Sequence, residues 1–309
     1  GVHRIEDLAR VSPTTIFTKR DGLPGEDIFR LYEDRHGDVW VGNVIPPGNG
    51  LTRWERSTGR LLAYGPELGI TKEFCPTAFA EDRRDDLWIG SWDVGIVRLR
   101  EGRFTHYGPE AGAPRGFIHA LHVDKSNRLW IASEDGLACV DDPEADRPRF
   151  REVMSDQSPA IRSARSLAED HDGNLYVGTP LGVYELDASS RVIRRYTTHD
   201  GLPNPVQTTA YRDRNRTLWF GTLHGVARLE PTTELPRLPA NPVIRGVRVA
   251  GVPQPVSETG EPDVANLTLG PEATSLEIDF VSPGSPLGGD TRYQFRVEGQ
   301  EADFRPPSD

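Results

Sequence analysis

Short β-prone apolar segments alternate along this chain with clusters of Asp, Asn and Gly, and the same order of segments returns five times. Ile28 to Tyr32, Pro76 to Ala80, Ile118 to Val123, Ala164 to Ala168 and Val206 to Tyr211 each read as a strand. A polar turn follows each, such as Arg35-His36-Gly37-Asp38 or His171-Asp172-Gly173-Asn174. Asp, Asn and Gly supply the local side-chain hydrogen bonds and positive φ of a tight hairpin. A second strand comes next, an aromatic-β-branched-Gly string. Gly50-Leu51, Gly95-Ile96, Gly136-Leu137, Gly182-Val183 and Gly225-Val226 then open a third strand. A fourth, outer strand carries an aromatic, as in Phe104-Thr105-His106-Tyr107 or Arg194-Arg195-Tyr196.

The repeat is anchored by an acid and an aromatic six residues apart: Asp34 and Trp40, Asp82 and Trp88, Asp124 and Trp130, Asp170 and Tyr176, Asp213 and Trp219. The aromatics are separated by 48, 42, 46 and 43 residues, the span of a four-stranded propeller blade. A Trp returning at one fixed point of each unit is expected to pack between adjacent sheets. The Asp before it is expected to cap its turn. Five carboxylates at five equivalent turns are spread around a ring and do not converge as a catalytic pair.

The fold predicted is all-β: a β-propeller of four-stranded blades, five complete repeats plus part of another, followed by a partial immunoglobulin- or fibronectin-like β-sandwich. Gly1 to Ile5 superposes on Gly225 to Leu229, so residues 1–17 are expected to end a preceding blade, with further blades upstream. Residues 18–235 form the five blades and 236–309 the sandwich. Its strands are read at Asn241 to Val249, Leu267 to Leu269, Ser275 to Phe280 and Arg292 to Gly299.

Asp-Gly-Leu-Pro at 21–24 and again at 200–203, Asp-x-x-Gly-x-x-Trp-Val-Gly at 34–42 and Gly-Leu-Thr-Arg at 50–53 together resemble the two-component regulator propeller repeat. The strands after Pro236 resemble the first half of the triple-tyrosine domain, with Phe304 where that domain usually has Trp. The resemblance implies the extracytoplasmic, periplasmic sensor region of an inner-membrane bacterial receptor, whose output is a histidine kinase, a hybrid regulator or a diguanylate cyclase. It also implies a carbohydrate or other small polar ligand and allows a homodimer of the receptor. No kinase, cyclase or DNA-binding motif occurs in these residues, so the chain is read as a non-enzyme.

Composition narrows the partners. The 36 basic against 47 acidic residues leave a net charge of −11, and no basic stripe interrupts it. Nucleic acid and anionic membrane are poor partners for this segment, and a membrane would be reached only through flanking segments. Cys75 and Cys139 fall in neighbouring blades and read as two buried small side chains. The eight histidines are scattered, and His119 and His122 point to opposite strand faces, so neither a metal site nor a cofactor is expected.

Blade connectivity puts the loop between strands two and three on the same end of the ring as the blade-to-blade link, with the Asp hairpins on the other end. Two loops on the first end depart from the minimal pattern. Asn43 to Asn49 is an insertion, and Ser91-Trp92-Asp93-Val94 carries a Trp outside the anchor position. Trp92, Asp93, Asn43 and Asn49 are the candidate ligand-binding residues, with stacking and amide hydrogen-bonding capacity. The alternative for Trp92 is packing on its own loop, and Trp54 is read as packing. Two other functions stay open. A propeller lyase or glycan-cleaving enzyme would need His119, Arg115 and acidic side chains at one mouth of the channel. A protein-binding scaffold would show a flat, ligand-free face.

Overall fold

The computed structural model describes residues 1–5, 15–43, 50–65, 74–92, 94–153, 161, 163–231, 242–257, 260–264, 267, 270 and 275–281. The chain divides into two units, Gly1–Pro231 and Thr232–Asp309.

The first unit is a β-propeller whose blades follow one another along the chain. A pair, β1 (Val2–Arg4) and β2 (Thr15–Phe17), comes first. Blade one is β3 (Ile28–Glu33), β4 (Val39–Asn43), β5 (Gly50–Trp54) and β6 (Leu61–Tyr64). Blade two is β7 (Pro76–Glu81), β8 (Leu87–Ser91), β9 (Ile96–Arg100) and β10 (Arg103–Tyr107). Blade three is β11 (Ile118–Val123), β12 (Leu129–Ser133), β13 (Gly136–Val140) and β14 (Phe150–Glu152). Blade four is β15 (Ser166–Glu169), β16 (Leu175–Thr179), β17 (Gly182–Leu186) and β18 (Val192–Tyr196). Blade five shows β19 (Gln207–Arg212), β20 (Leu218–Thr222) and β21 (Gly225–Leu229) among the described residues. Within every blade, neighbouring strands are antiparallel.

Packing explains the aromatic-β-branched-Gly string. In β12, Leu129 and Ile131 join Trp88, Ile96 and Tyr107 of blade two, while Trp130 and Ala132 join Leu175, Val177 and Tyr184 of blade four. A strand with neighbours on both faces is apolar throughout, and β8, β12 and β16 are buried along their whole length. The core is therefore a series of layers between blades. Trp54 packs on the β1–β2 pair through Phe17 (ring centroids 6.2 Å apart) and Arg4.

The acid and aromatic of the repeat are joined directly. The indole N–H of Trp40, Trp88, Trp130 and Trp219 donates to Oδ2 of Asp34, Asp82, Asp124 and Asp213 at 2.8–2.9 Å. The Tyr176 hydroxyl takes the same place on Asp170 at 3.4 Å. Oδ1 of each acid accepts backbone N–H groups of its own turn, as Asp34 does from His36 and Asp38. Packing and turn capping are thus one hydrogen-bonded device. Arg53, Arg98, Arg128 and Arg228 lie over the faces of the four tryptophans at 5.0–5.9 Å from the ring centroids.

The second unit shows a three-stranded antiparallel sheet, β22 (Val243–Val249), β23 (Val252–Gln254) and β24 (Leu276–Val281), in the order β23-β22-β24. β22 and β24 fall where the alternating pattern predicted them. β23 lies between the strands read at Asn241 to Val249 and Leu267 to Leu269, where none was expected. Pro253 argues against a strand in sequence, yet an edge position tolerates a residue without an N–H. A two-residue turn, Ala250-Gly251 with both φ positive, folds it back on β22. The strands expected at 267–269 and 292–299, and Phe304, lie outside the described residues, 267 apart.

Candidate functional site

The loops behave as connectivity requires. The N–H of Trp92, in the loop after β8, donates to the Cys75 carbonyl ahead of β7, and the N–H of Glu134, after β12, donates to the Phe117 carbonyl ahead of β11. Strand-two-to-three loops and blade-to-blade links therefore share one end of the propeller.

Trp92 is 45% exposed and packs edge-on against Phe117 of the next blade, ring centroids 4.9 Å apart. Phe117 in turn meets His119 at 4.5 Å and Phe29 at 5.9 Å, and Phe29 is 45% exposed. Three blades thus contribute to one aromatic patch, Phe29, Trp92, Phe117 and His119, in which Phe29 and Trp92 are exposed.

Asn43 is corrected. It is fully buried, and its side-chain N–H₂ donates to the Gly25 and Asp27 carbonyls at 3.0 and 3.4 Å. By register it stands with Ser91, Ser133, Thr179 and Thr222, the residues that end each second strand, and three of these hydroxyls donate to the carbonyl of the Gly opening the third strand. Aligning the blades at this position reveals the role from sequence. Asp93 and Asn49 lie outside the described residues.

Sequence reasoning missed Phe117, Phe29 and the channel behind them. The first strands of all five blades line one cavity of about 200 Å³. In four blades an extra residue is inserted near the start of the first strand: Phe29, Thr77, His119 and Thr208 each sit at a register shift. Arg165, whose N–H donates to the Gly178 carbonyl at 2.8 Å, holds the equivalent place just ahead of β15. Such a bulge re-aims its side chain. Thr77 and Thr208 donate from Oγ1 to the carbonyl of the second-strand Gly of their own blade, Gly90 and Gly221, whereas Phe29, His119 and Arg165 break that pattern.

The polar lining is cationic. Arg30 reaches across two blades, donating from Nε to the Thr77 carbonyl (3.0 Å) and from Nη2 to the His119 carbonyl (3.3 Å). Burial draws its guanidinium below the usual value. The His119 imidazole is lowered by burial and by the charge of Arg165, against a smaller opposing effect of Glu134. His122 is elsewhere, with Nε2 3.2 Å from the Glu169 carboxylate. Among the described residues no group of His, Cys, Asp and Glu is arranged to hold a metal. Arg115 offers its backbone N–H to the Asp135 carboxylate at 3.0 Å. Cys75 and Cys139 are both buried and share no disulfide, and burial raises the Cys139 thiol to about 12.

Residues 22–44 match the family model described as two component regulator propeller. No curated protein matches the chain in sequence. Among solved structures, the extracellular domain assigned to a hybrid two component system of B. thetaiotaomicron is 19% identical, with a TM-score of 0.77 over 96% of this chain and 40% of that one. An extracellular domain assigned to a one component system of the same organism is 18% identical, with a TM-score of 0.57 over 72% of this chain and 29% of that one. Virginiamycin B lyase of Staphylococcus aureus is 14% identical, with a TM-score of 0.51 over 68% of this chain and 72% of that one. This chain spans less than half the length of the two extracellular domains. At these identities the likeness is one of fold, the β-propeller.

Proposed function

We propose that this chain belongs to the extracytoplasmic input region of a bacterial signalling receptor and binds a carbohydrate or similar small polar ligand on the first face of the propeller. The observation that carries the reading is the aromatic patch of Phe29, Trp92 and Phe117, drawn from three blades, with Phe29 and Trp92 each 45% exposed. Ring faces at a rim supply stacking area at small entropic cost. The match to the two component regulator propeller and the likeness to extracellular domains of signalling systems support the receptor context. In this reading the protein is periplasmic, the second unit is a triple-tyrosine-type sandwich that relays ligand-dependent change, and the output is a histidine kinase or diguanylate cyclase.

The test is a thermal-shift screen of the chain against neutral and acidic oligosaccharides and polar metabolites. A ligand at a hundred times its dissociation constant stabilises by about 2.7 kcal/mol. A shift in the wild type that disappears in Trp92→Ala and Phe117→Ala is the expected result. No shift with any compound sinks the small-molecule reading in favour of a protein-binding platform. A lyase reading draws on His119, whose imidazole feels the charges of both Arg165 and Glu134. Mass spectrometry of each binding compound after incubation separates the two, since an unchanged mass marks a ligand and a cleaved one a substrate.

A further inference from the structure

We propose that the propeller channel contains a binding site for a small oxyanion, built from Arg165 and Ser166 of blade four and His119 of blade three, with Arg30 supplying further positive charge. The site goes beyond the aromatic platform, because stacking a neutral sugar needs no cation. Three buried polar atoms on this one cavity have no hydrogen-bond partner: Arg165 Nε, Ser166 Oγ and His119 Nε2. Ser166 is only 2% exposed, so its hydroxyl belongs to the interior. Interior polar atoms are nearly always paired, and those that are not call for a specific explanation.

The kind of partner follows from the chemistry of the three. A guanidinium only donates, a hydroxyl donates freely, and an imidazole donates from whichever nitrogen carries the proton. Among the described residues no Asp or Glu lines the cavity, although the chain as a whole carries −11. Two guanidinium groups in a partly desolvated channel without a facing carboxylate are costly unless an anion joins them. A carboxylate, phosphate or sulfate presents two or more acceptor oxygens and no obligatory donor, and charge-assisted bonds to Arg are the strong kind. Arg30 has two of its donors committed to backbone carbonyls, so its contribution is charge more than contact. Glu134, the carboxylate whose charge reaches His119, follows β12 and is not among the residues that line the cavity.

Isothermal titration of the whole chain with inorganic phosphate, sulfate, acetate and citrate, at constant ionic strength, tests the site. Saturable binding of at least one is expected, weakened about tenfold or more in Arg165→Gln, a loss of roughly 1.4 kcal/mol. Arg165→Lys keeps the charge and recovers part of the affinity. Ser166→Ala, a change of one hydroxyl, weakens binding several-fold and guards against misfolding of the arginine variant. Preference for phosphate or sulfate points to an inorganic ion, and preference for citrate or acetate to an organic acid. No saturable heat with any of the four, or equal affinity in wild type and both Arg165→Gln and Ser166→Ala, overturns the proposal. Neutral oligosaccharides titrated in parallel separate this site from the platform, since sugar binding without anion binding overturns only the oxyanion site.

Discussion

Asp124 shows how much of a blade can hang on one carboxylate. Its Oδ1 accepts the N–H groups of Ser126 and Arg128, and its Oδ2 accepts from the Arg128 side chain and the Trp130 indole, all within 2.7–2.9 Å. Burial pushes its pKa up, but the hydrogen bonds from Trp130 and Arg128 outweigh that and hold it below the ordinary 3.8. A lowered acid contributes stability that is present above pH 3.8 and lost as the pH falls through the folded value. Asp124→Ala leaves several donors without an acceptor and is expected to cost about 3 kcal/mol in urea unfolding at neutral pH. The penalty should shrink toward acid. A penalty that is small at neutral pH, or independent of pH, would show that the indole bond is incidental. The six-residue spacing was visible in the sequence, but the bond was not. Spacing reports that two side chains recur together, and only the hairpin brings the indole edge onto the carboxylate.

At the scale of the strand, the blade interface sets the residue. A Cβ built on Gly90 of β8 would stand 2.4 Å from Cγ2 and 2.8 Å from Cβ of Ile118, the first residue of the next blade's inner strand. Blade three has Ala132 at the same place, fully buried, so the fold accepts a methyl group there when the neighbouring blade leaves room. Gly90→Ala is expected to lower stability by about 1–3 kcal/mol through overpacking. A thermal midpoint equal to wild type would mean that blades two and three slide apart at no cost. The strands themselves were legible because pleat alternation and turn chemistry are local. The bulges were not, since an inserted residue leaves no mark on the apolar pattern. They nonetheless decide that Phe29, His119 and Arg165 are turned out of the ladder.

Across the molecule burial is uneven, and stability should follow it. The second strands of blades two, three and four are buried end to end, whereas β21 of blade five and the β1–β2 pair are largely exposed. In a chain of units coupled to nearest neighbours, opening begins where fewest apolar contacts hold it. Native-state hydrogen exchange is expected to be slowest in β8, β12 and β16 and fastest in β21 and β1, while uniform protection would indicate a single cooperative ring. The propeller class, the order of its strands and the end of the blades that carries variable loops were all determined by the sequence alone. Each depends on interactions between residues a few positions apart, repeated until the pattern is unmistakable. The tertiary structure alone decided that Trp92 finds Phe117 and that Arg30, His119, Arg165 and Ser166 surround one cavity. Those residues lie in four different segments tens of positions apart, and no local rule orients them. Their convergence is set by how sheets pack face to face around an axis.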